Sequence, residues 1–313
     1  MLRFASHLPL AFIFRAFGAT SGFHISAVGA AIDLRTTNFI ISVARRTTRN
    51  MPEETSPTER RAQMILQELL RAGKVSVLSL AKRLKVSPAT IRRDLGELEQ
   101  RGLLRRSHGG AVPVQPLLYE PFRHVSYYHE QERQRSAEKR RIGLVASELI
   151  SDGDILAIGA GTTATQVARS VCLHKGITVL TNAVNVAMEL SHRDDLKVIV
   201  TGGFLSGDWF ALVGPAAIES VGEIFVDRVF IGVDGIHAEH GLTTNYPDQA
   251  TIHRAMMRQA RQKIVVADHR KIGAVGTALI SPLNEVDILI TDKGVSDEAI
   301  APFVALGIEV HRA

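Results

Sequence analysis

Residues 75–113 of this chain, VSVLSLAKRLKVSPATIRRDLGELEQRGLLRRSHGGAVP, predict two short helices joined by a tight turn and followed by a basic hairpin. Ser87 is a favourable N-cap for the second helix, and Pro88 suits its first position because the missing N–H would have no partner there. Apolar residues then recur at spacings of four and three, which predicts one buried stripe along a helix over 88–100. The residues of that stripe are Ile91, Leu95 and Leu98.

The opposite face of this second helix carries small and basic side chains. Ala89 and Arg93 lie about 160° around the helix axis from Ile91, with Thr90 and Arg92 beside them. A short helix that buries one face and presents Arg, Thr and Ala on the other is typical of a helix that enters the major groove of DNA. A solvated helix in a small bundle is the alternative.

A basic segment with two glycines follows this helix and predicts a wing that lies along DNA phosphates. Upstream, Ser56 and Thr58 can cap a first helix that ends at Gly73. Residues 56–113 are therefore predicted to form a winged helix-turn-helix. Arg93 and Thr90 are expected to read bases, while the remaining basic residues hold phosphates. The full candidate set is Ser87, Ala89, Thr90, Arg92, Arg93, Arg105, Arg106 and His108.

Charge is distributed unevenly along the 313 residues. Residues 1–50 and 51–113 each carry a net charge of +5, whereas the remainder carries −5. A basic head on an acidic body suits a protein that touches nucleic acid through the head only. The single cysteine, Cys172, excludes an intrachain disulfide and favours a reducing cytoplasm.

Residues 1–55 are expected to be an extension outside the folded domains. The first fifty residues hold six Arg and one acidic residue, and Arg15 interrupts the apolar patch 8–14 too early for a secretory signal. No apolar run reaches the roughly 18 residues of a membrane span. An organelle transit peptide is one alternative, and a disordered tail or a true translation start at Met51 is the favoured interpretation.

The segment 114–130 is predicted to be a linker because prolines are frequent around it, as in VPVQPLLYEP. Residues 131–313 then form the second domain, which is expected to open with one long amphipathic helix running through the polar stretch 127–141 into Ile142. Short apolar runs alternate with helical stretches afterwards, which predicts an α/β domain with a mostly parallel sheet. The predicted strands are 155–158, 177–180, 198–200, 229–233, 264–267 and 288–290, and the clearest helices are 163–171, 185–190 and 249–261.

Each predicted strand ends in small or polar residues, and ligands of open α/β sheets bind beyond the carboxyl ends of the strands. The loop 159–163 can surround an anion with backbone N–H groups at a helix N-terminus. GAGTTA also matches G-x-G-x-x-A, so dinucleotide binding is an alternative, although Asn182 stands where a ribose-binding acid is wanted. A purely structural tight turn is a further alternative. Lys271 could supply a cation to the same anion.

From about Thr58 to its end the chain resembles the DeoR-type repressors of bacterial sugar catabolism. The motifs that carry the resemblance are TIRRDLGELEQRGLLRRSHGGA, SDGDILAIGAGTTATQVA, TVLTNAVNVA, VTGGFLSGDWFALVGPAA, FIGVDGIHAEHGLTT and VVADHRKIG. The resemblance implies a ligand domain similar to ribose-5-phosphate isomerase, in which a phosphorylated sugar is the effector. It also implies a bacterial cytoplasmic protein that is associated with the nucleoid through DNA binding. FLSGDWFALVGP is similar to members that govern N-acetylgalactosamine or related amino sugars.

The resemblance also implies roles for individual residues of the second domain. Gly161, Thr162, Thr163 and Lys271 are expected to contact the phosphate, together with Gly159 from the same loop. The expected sugar-facing residues are Asn182, Gly203, Asp234 and Asp248. Asp248 departs from the Glu that relatives carry at this position, which could alter its reach to the ligand.

A sugar-phosphate isomerase with an appended DNA-binding head is the alternative function. Asp208, Asp234 and Asp248 could move a proton between adjacent carbons, but the glycine-framed Glu and Lys segment expected of such isomerases is missing. We therefore expect no catalysis and no cofactor. Metal binding is not expected either, because nothing beyond four histidines supports it: His237, His240, His253 and His269. The expected partners are operator DNA, a phosphorylated sugar and further copies of the chain in a dimer or tetramer, with no membrane.

Overall fold

The computed structural model describes residues 56–114, 127–207 and 209–313. The predicted extension over 1–55, most of the predicted linker and the candidate Asp208 lie outside these ranges. The described head and body belong to one compact unit. No helix within the described ranges combines the length and apolar character that crossing a membrane requires.

The head is a winged helix-turn-helix, as predicted. Its helices are α1 (Pro57–Ala72), α2 (Val77–Leu84) and α3 (Pro88–Gln100), and its strands are β1 (Val75–Ser76), β2 (Arg105–Ser107) and β3 (Gly110–Val112). The strands form an antiparallel sheet in the order β1-β3-β2. The predicted stripe of α3 is buried against the other two helices, with Ile91, Leu95 and Leu98 at most 1% exposed.

Local sequence signals set the ends of the head helices. The hydroxyl of Ser56 accepts a hydrogen bond from the N–H of Glu59, and that of Ser87 accepts one from Thr90. Gly73 ends α1 with φ of +74°, a conformation that costs glycine little. Thr58 was expected to share the cap with Ser56, but it lies inside α1.

The body does not open with one long helix, so that prediction was wrong. The chain forms α4 (Tyr127–Arg133) and α5 (Ser136–Glu148), which are separated at Arg135 by a left-handed backbone with φ of +51°. The break allows each helix its own packing, because a left-handed residue turns the chain out of the helical path. The hydroxyl of Tyr128 in α4 reaches Thr165, while α5 packs closely on the helix that contains Thr165.

The body is built on a sheet of seven parallel strands. Its strands are β4 (Ile155–Ile158), β5 (Thr178–Thr181), β6 (Lys197–Val200), β9 (Val226–Ile231), β12 (Ala260–Val266), β14 (Ile288–Thr291) and β15 (Glu309–Arg312). Their order across the sheet is β15-β14-β12-β9-β4-β5-β6. Successive residues of β4, Leu156 to Ile158, are all fully buried. Since successive strand residues point to opposite faces, both faces of this strand are covered.

Helices and smaller sheets complete the body. The remaining helices are α6 (Thr162–Ser170), α7 (Val184–Leu190), α8 (Pro215–Gly222), α9 (Pro247–Gln259) and α10 (Asp297–Ala305). A hairpin is formed by β7 (Phe204–Ser206) and β8 (Ala211–Val213), and an antiparallel sheet by β10 (Gly235–His237), β11 (Gly241–Thr244) and β13 (Ala278–Ser281). The six predicted strands correspond to strands of the parallel sheet, with ends shifted by up to four residues, whereas β15 was not predicted.

Candidate DNA-binding surface and ligand cleft

The candidate base-reading face of α3 is open to solvent. Ser87, Ala89, Arg92 and Arg93 are exposed and Thr90 is half-buried. The Ser87 hydroxyl is occupied by the cap, since it lies 3.1 Å from the N–H of Thr90 and 2.9 Å from its hydroxyl. The other exposed side chains on this face are small or basic, which is typical of a helix that can enter a major groove.

A partly buried ion pair holds α3 in place beneath that face. Asp94 is 3% exposed, and its two carboxylate oxygens accept hydrogen bonds from Nε and Nη2 of Arg61 in α1 at 2.5 and 2.9 Å. These hydrogen bonds raise the pKa of Arg61. This pair was not predicted from the sequence, although an aspartate three residues after Ile91 on an apolar stripe is a signal for it.

The wing presents the other basic candidates. Arg105, Arg106 and His108 are all exposed on β2 and the turn that follows it. The N–H of Arg106 donates to the carboxylate of Glu99 at 2.8 Å, which fixes the wing to the end of α3. A Cβ on Gly110 would lie 1.9 Å from the carbonyl oxygen of Val75, so only glycine allows β3 to approach β1 this closely. The helix α3 and the wing are thus joined and both present exposed basic side chains.

The second candidate site is a cleft at the carboxyl ends of three adjacent strands. β4 lies between β5 and β9, so the strand order reverses between β4 and β9, which is where open α/β sheets bind ligands. The cleft has a volume of about 500 Å³, part of it open to solvent. The loops that follow β4, β9 and β12 line it, and they bring together five of the predicted residues: Gly161, Thr162, Thr163, Asp234 and Lys271.

The helix α6 begins at this cleft. Gly161 is its N-cap, with φ of +137°, and Thr162 and Thr163 form its first turn. The first N–H groups of a helix have no partner within the helix and carry partial positive charge. This arrangement is suited to a phosphate or another anion.

The predicted residues Asn182 and Gly159 lie behind the cleft rather than on its wall. Asn182 is fully buried, its Oδ1 accepts from the N–H of Ala160 at 3.1 Å, and its Nδ2 donates to the carbonyl oxygen of Leu212 at 3.1 Å. It therefore fixes the loop after β4. Gly159 lies against the ring of His253, and a Cβ on Gly159 would lie 2.9 Å from Nε2 of that ring.

Gly203 and Asp248 are likewise outside the wall of this cleft. A Cβ on Gly203 would lie 2.4 Å from the carbonyl oxygen of Val213, so the glycine lets the chain enter the β7–β8 hairpin. Asp248 is in the first turn of α9 and lines a separate small pocket, with Tyr246 and Trp209. Trp209 lines both this pocket and the cleft.

Asp234 is held rigidly within the cleft by several donors. One carboxylate oxygen accepts from the hydroxyl of Thr244 at 2.9 Å and from the N–H of Asn245 at 3.0 Å. The other lies 3.1 Å from Nζ of Lys271. A carboxylate fixed in this way can accept hydrogen bonds from a ligand's hydroxyl groups.

The most informative residue that the sequence analysis missed is Lys139 of α5. It is only 3% exposed, it lines the cleft, and its ammonium donates to the carbonyl oxygen of Gln131. Burial lowers the pKa of Lys139 to about 8, although the nearby carboxylate of Asp268 opposes the shift. Burial would raise the pKa of Asp268 itself, but hydrogen bonds from Arg270 hold it below its usual value. The cleft therefore contains two ammonium groups, from Lys139 and Lys271.

The histidines considered for metal binding do not form a centre. In the described part of the chain, no group of three or more His, Cys, Asp or Glu residues is arranged to hold a metal ion. His237 and His240 have ring centroids 4.8 Å apart, and His269 bonds to Asp292 at 2.7 Å. His253 is buried, which lowers its pKa to about 4 and keeps the ring neutral.

Two family descriptions match the chain. Residues 61–116 match the DeoR-like helix-turn-helix domain, and residues 134–293 match the DeoR C terminal sensor domain. Among solved structures, ribose 5 phosphate isomerase A from Neisseria gonorrhoeae is 14% identical, covers 45% of this chain and 53% of its own, and gives a TM-score of 0.32. The family assignment rests on the sequence matches.

Three relatives match over most of their own length. The HTH-type transcriptional regulator GlpR of Haloferax volcanii is 38% identical, over 75% of this chain and 90% of its own. The HTH-type transcriptional repressor GlcR of Bacillus subtilis is 34% identical, over 75% and 88%. The glycerol-3-phosphate regulon repressor of Escherichia coli is 30% identical, over 73% and 88%. These names describe regulators, not enzymes, and the chain belongs to the DeoR family of DNA-binding transcriptional regulators.

Proposed function

We propose that this protein represses a carbohydrate catabolic operon and leaves its operator when a phosphorylated sugar binds the cleft. The observation that carries the proposal is the meeting of the α6 N-terminus with the ammonium groups of Lys139 and Lys271 in one polar cleft. A helix N-terminus and two cations suit a phosphate, and Asp234 suits a polyol. The exposed basic surface of the head supplies the DNA contacts.

The proposed protein–DNA contacts follow from exposure. Arg93 and Thr90 would read base edges from α3, and Arg92, Arg105, Arg106 and His108 would mostly hold phosphates. We further propose a dimer or tetramer, since paired heads match the twofold symmetry of most operators. Sedimentation of the protein with and without DNA would determine the number of copies.

The effector would act by binding one conformation of the body better than another. A ligand shifts such an equilibrium only by its difference in affinity for the two states, and couplings of about 1–3 kcal/mol are typical. Gly161, Thr162, Thr163 and Lys271 would contact the phosphate and Asp234 the sugar. Asn182 and Gly159 would position the loop that carries the first three.

Operator release tests the proposal directly. The full chain is bound to DNA from its own upstream region and titrated with glycerol 3-phosphate, phosphorylated hexoses and a phosphorylated amino sugar. The amino sugar is included because the segment from Phe204 to Pro215 resembles amino-sugar regulators. Matched unphosphorylated compounds are the controls. Release by one phosphorylated compound alone is expected, and equal release by its unphosphorylated partner would contradict a phosphate site.

A further inference from the structure

The helix α5 touches both the ligand cleft and the DNA-binding head. Its consecutive residues Lys139 and Arg140 point in directions about 100° apart around the helix axis. Lys139 lines the cleft, whereas Nε of Arg140 donates to the carbonyl oxygen of Arg71 in α1 at 3.3 Å. One rigid helix therefore connects the ligand cleft with α1 of the head.

On the cleft side, Lys139 is tied to the chain that arrives from the head. Its ammonium donates to the carbonyl oxygen of Gln131 in α4, the helix that begins within the last residues of the predicted linker. A second contact lies beside the cleft, where Nη1 of Arg270 donates to the side chain of Gln134, the residue that follows α4, at 3.1 Å. A phosphate in the cleft would compete with the Gln131 carbonyl for the Lys139 ammonium, because an anion is the stronger acceptor.

On the head side, Arg140 lies at the carboxyl end of α1. Its guanidinium is 3.7 Å from the position that a Cβ on Gly73, the residue that ends α1, would occupy. A cation is favourable at a helix C-terminus, where the last carbonyl groups carry partial negative charge. Arg140 is partly buried there, and this burial lowers its pKa.

The packing of α5 makes it suited to transmit a small displacement. Gly143 allows α5 to approach α6 so closely that a Cβ there would lie 2.6 Å from the carbonyl oxygen of Gln166. The same α6 begins with the anion-binding turn at Thr162. Closely packed helices slide as rigid bodies rather than deform, so a ligand that shifts either helix shifts its neighbour.

We infer that α5 transmits effector binding to the head, with Lys139 donating to the effector's phosphate and Arg140 relaying the movement to α1. This inference rests on the proposed function. Lys139 is a ligand-contacting residue, and Arg140 is a positioning residue that holds the head in its docked arrangement. Loss of the contact between Arg140 and Arg71 frees the head.

Two single-copy residues report on the two ends of this path. Trp209, the one tryptophan of the chain, lines the cleft, so its fluorescence reports on the binding of inorganic phosphate. Cys172, the one cysteine, is half-buried and packs against the core of the head. Burial raises the pKa of its thiol to about 11, so release of the head should accelerate its reaction with a thiol reagent.

The first experiment needs no ligand. The Cys172 labelling rate is measured in the full chain for the wild type, for Arg140→Ala and for the matched control Arg141→Ala. Arg141 is the next residue of α5 and has the same intermediate exposure. Arg140→Ala should label severalfold faster than the wild type, and Arg141→Ala at the wild-type rate. Equal rates in the two variants would overturn the role of Arg140.

The second experiment titrates inorganic phosphate while both reporters are followed. In the wild type, phosphate should change the Trp209 fluorescence and accelerate Cys172 labelling. Coupling between two sites is reciprocal, so a head that is already released should not weaken phosphate binding. Arg140→Ala should therefore bind phosphate at least as tightly as the wild type, but its Cys172 labelling rate should no longer respond to phosphate. Lys139→Met should lose roughly 10- to 150-fold in phosphate affinity, because it removes a hydrogen bond to a charged group, and Lys139→Arg, which keeps a cation, should retain most of it.

The outcomes separate this inference from the proposed function. The inference fails if phosphate accelerates Cys172 labelling in Arg140→Ala as much as in the wild type. It also fails if Lys139→Met binds phosphate as tightly as the wild type does. In both cases the effector site itself still stands. If Trp209 fluorescence in the wild type does not respond to phosphate or to any phosphorylated sugar, the proposed function fails. In that case the Arg140 labelling result still decides whether α5 holds the head.

Discussion

Arg93 and Arg105 are both exposed basic residues of the head, but they lie on different elements. Arg93 is on the open face of α3, and Arg105 is in the first strand of the wing. A side chain on a helix in the major groove can reach base edges, whereas a wing beside the duplex meets phosphates. The two arginines should therefore contribute differently to recognition.

Replacing each arginine with alanine should separate these contributions. Arg93→Ala should relax base preference and lose about 1–3 kcal/mol of binding free energy on the operator. Arg105→Ala should weaken binding to every DNA sequence alike, and it should reduce the slope of log affinity against log salt concentration by about one. Binding to operator and to scrambled DNA is measured over a series of salt concentrations. Equal losses of specificity from both variants would contradict the assigned roles.

The pKa of Lys139 predicts how the affinity for a phosphorylated ligand depends on pH. Its pKa is about 8 because it is buried, and a phosphorylated ligand needs the charged form. A sugar phosphate is already mostly dianionic at about pH 7, since its second pKa is about 6. Affinity should therefore fall as pH rises from about 7 to 9.

Trp209 fluorescence titrations with the phosphorylated sugar that releases the operator measure this dependence. Other charged groups face Lys139 and could add their own pH dependence, notably Asp268, Arg270, Lys271 and Glu132. Lys139→Met is the control that isolates the lysine, and its affinity should be weak and nearly independent of pH over this range. An equally steep decline in Lys139→Met would assign the effect to another group.

At the scale of elements, the cleft depends on how closely α5 and α6 pack. Gly143 permits this approach, and Asn182 fixes the loop between β4 and α6 through hydrogen bonds to Ala160 and Leu212. Neither residue touches the interior of the cleft, yet both determine where the α6 N-terminus lies. Their contribution to ligand binding is therefore to shape the site.

Gly143→Ala should destabilise the body. Its new Cβ would lie 2.6 Å from the carbonyl oxygen of Gln166, and overpacking of this kind costs about 1–3 kcal/mol of unfolding free energy. Gly222→Ala in α8 is the matched control, because a Cβ there meets nothing within 4 Å. Urea unfolding followed by Trp209 fluorescence compares the two variants. A stable Gly143→Ala protein would show that α5 and α6 separate without cost.

At the scale of the whole molecule, head and body meet through contacts of unequal strength. Lys175 of the body pairs with Glu59 of α1 at 2.8 Å, but both side chains are largely exposed. Solvent screens such pairs, and their contribution is small. Arg140 itself is half-buried, so its contact with the end of α1 is the better candidate for holding the head in place.

Lys175→Ala should consequently leave the Cys172 labelling rate and the release of operator DNA nearly unchanged. Arg140→Ala measured beside it should change both. The comparison is made on the full chain at low and at moderate salt, since a surface pair weakens as salt screens it. If Cys172 in Lys175→Ala reacts as fast as in Arg140→Ala, the main docking contact is the surface pair of Lys175 and Glu59.

The sequence by itself determined the local elements and the order in which they occur. Capping residues such as Ser56, Ser87 and Gly73 act on their own helix ends, so their effect is visible within a few residues. The stripe of α3 and the apolar run 155–158 follow the helical and strand periods in the same way. The resemblance of the motifs to DeoR-type repressors then gave the family correctly.

Only the tertiary structure decided which side chains meet. Lys139 enters the cleft because the chain breaks at Arg135 and α5 packs on α6, and neither event follows from the polar stretch that contains them. Asn182 and Asp234 are both polar residues that follow strands in the sequence. In the structure the side chain of Asn182 forms hydrogen bonds with backbone groups, whereas Asp234 lines the cleft. The reason is physical: a side chain's partners depend on strand order and close packing between distant segments, whereas sequence patterns report only on neighbours along the chain.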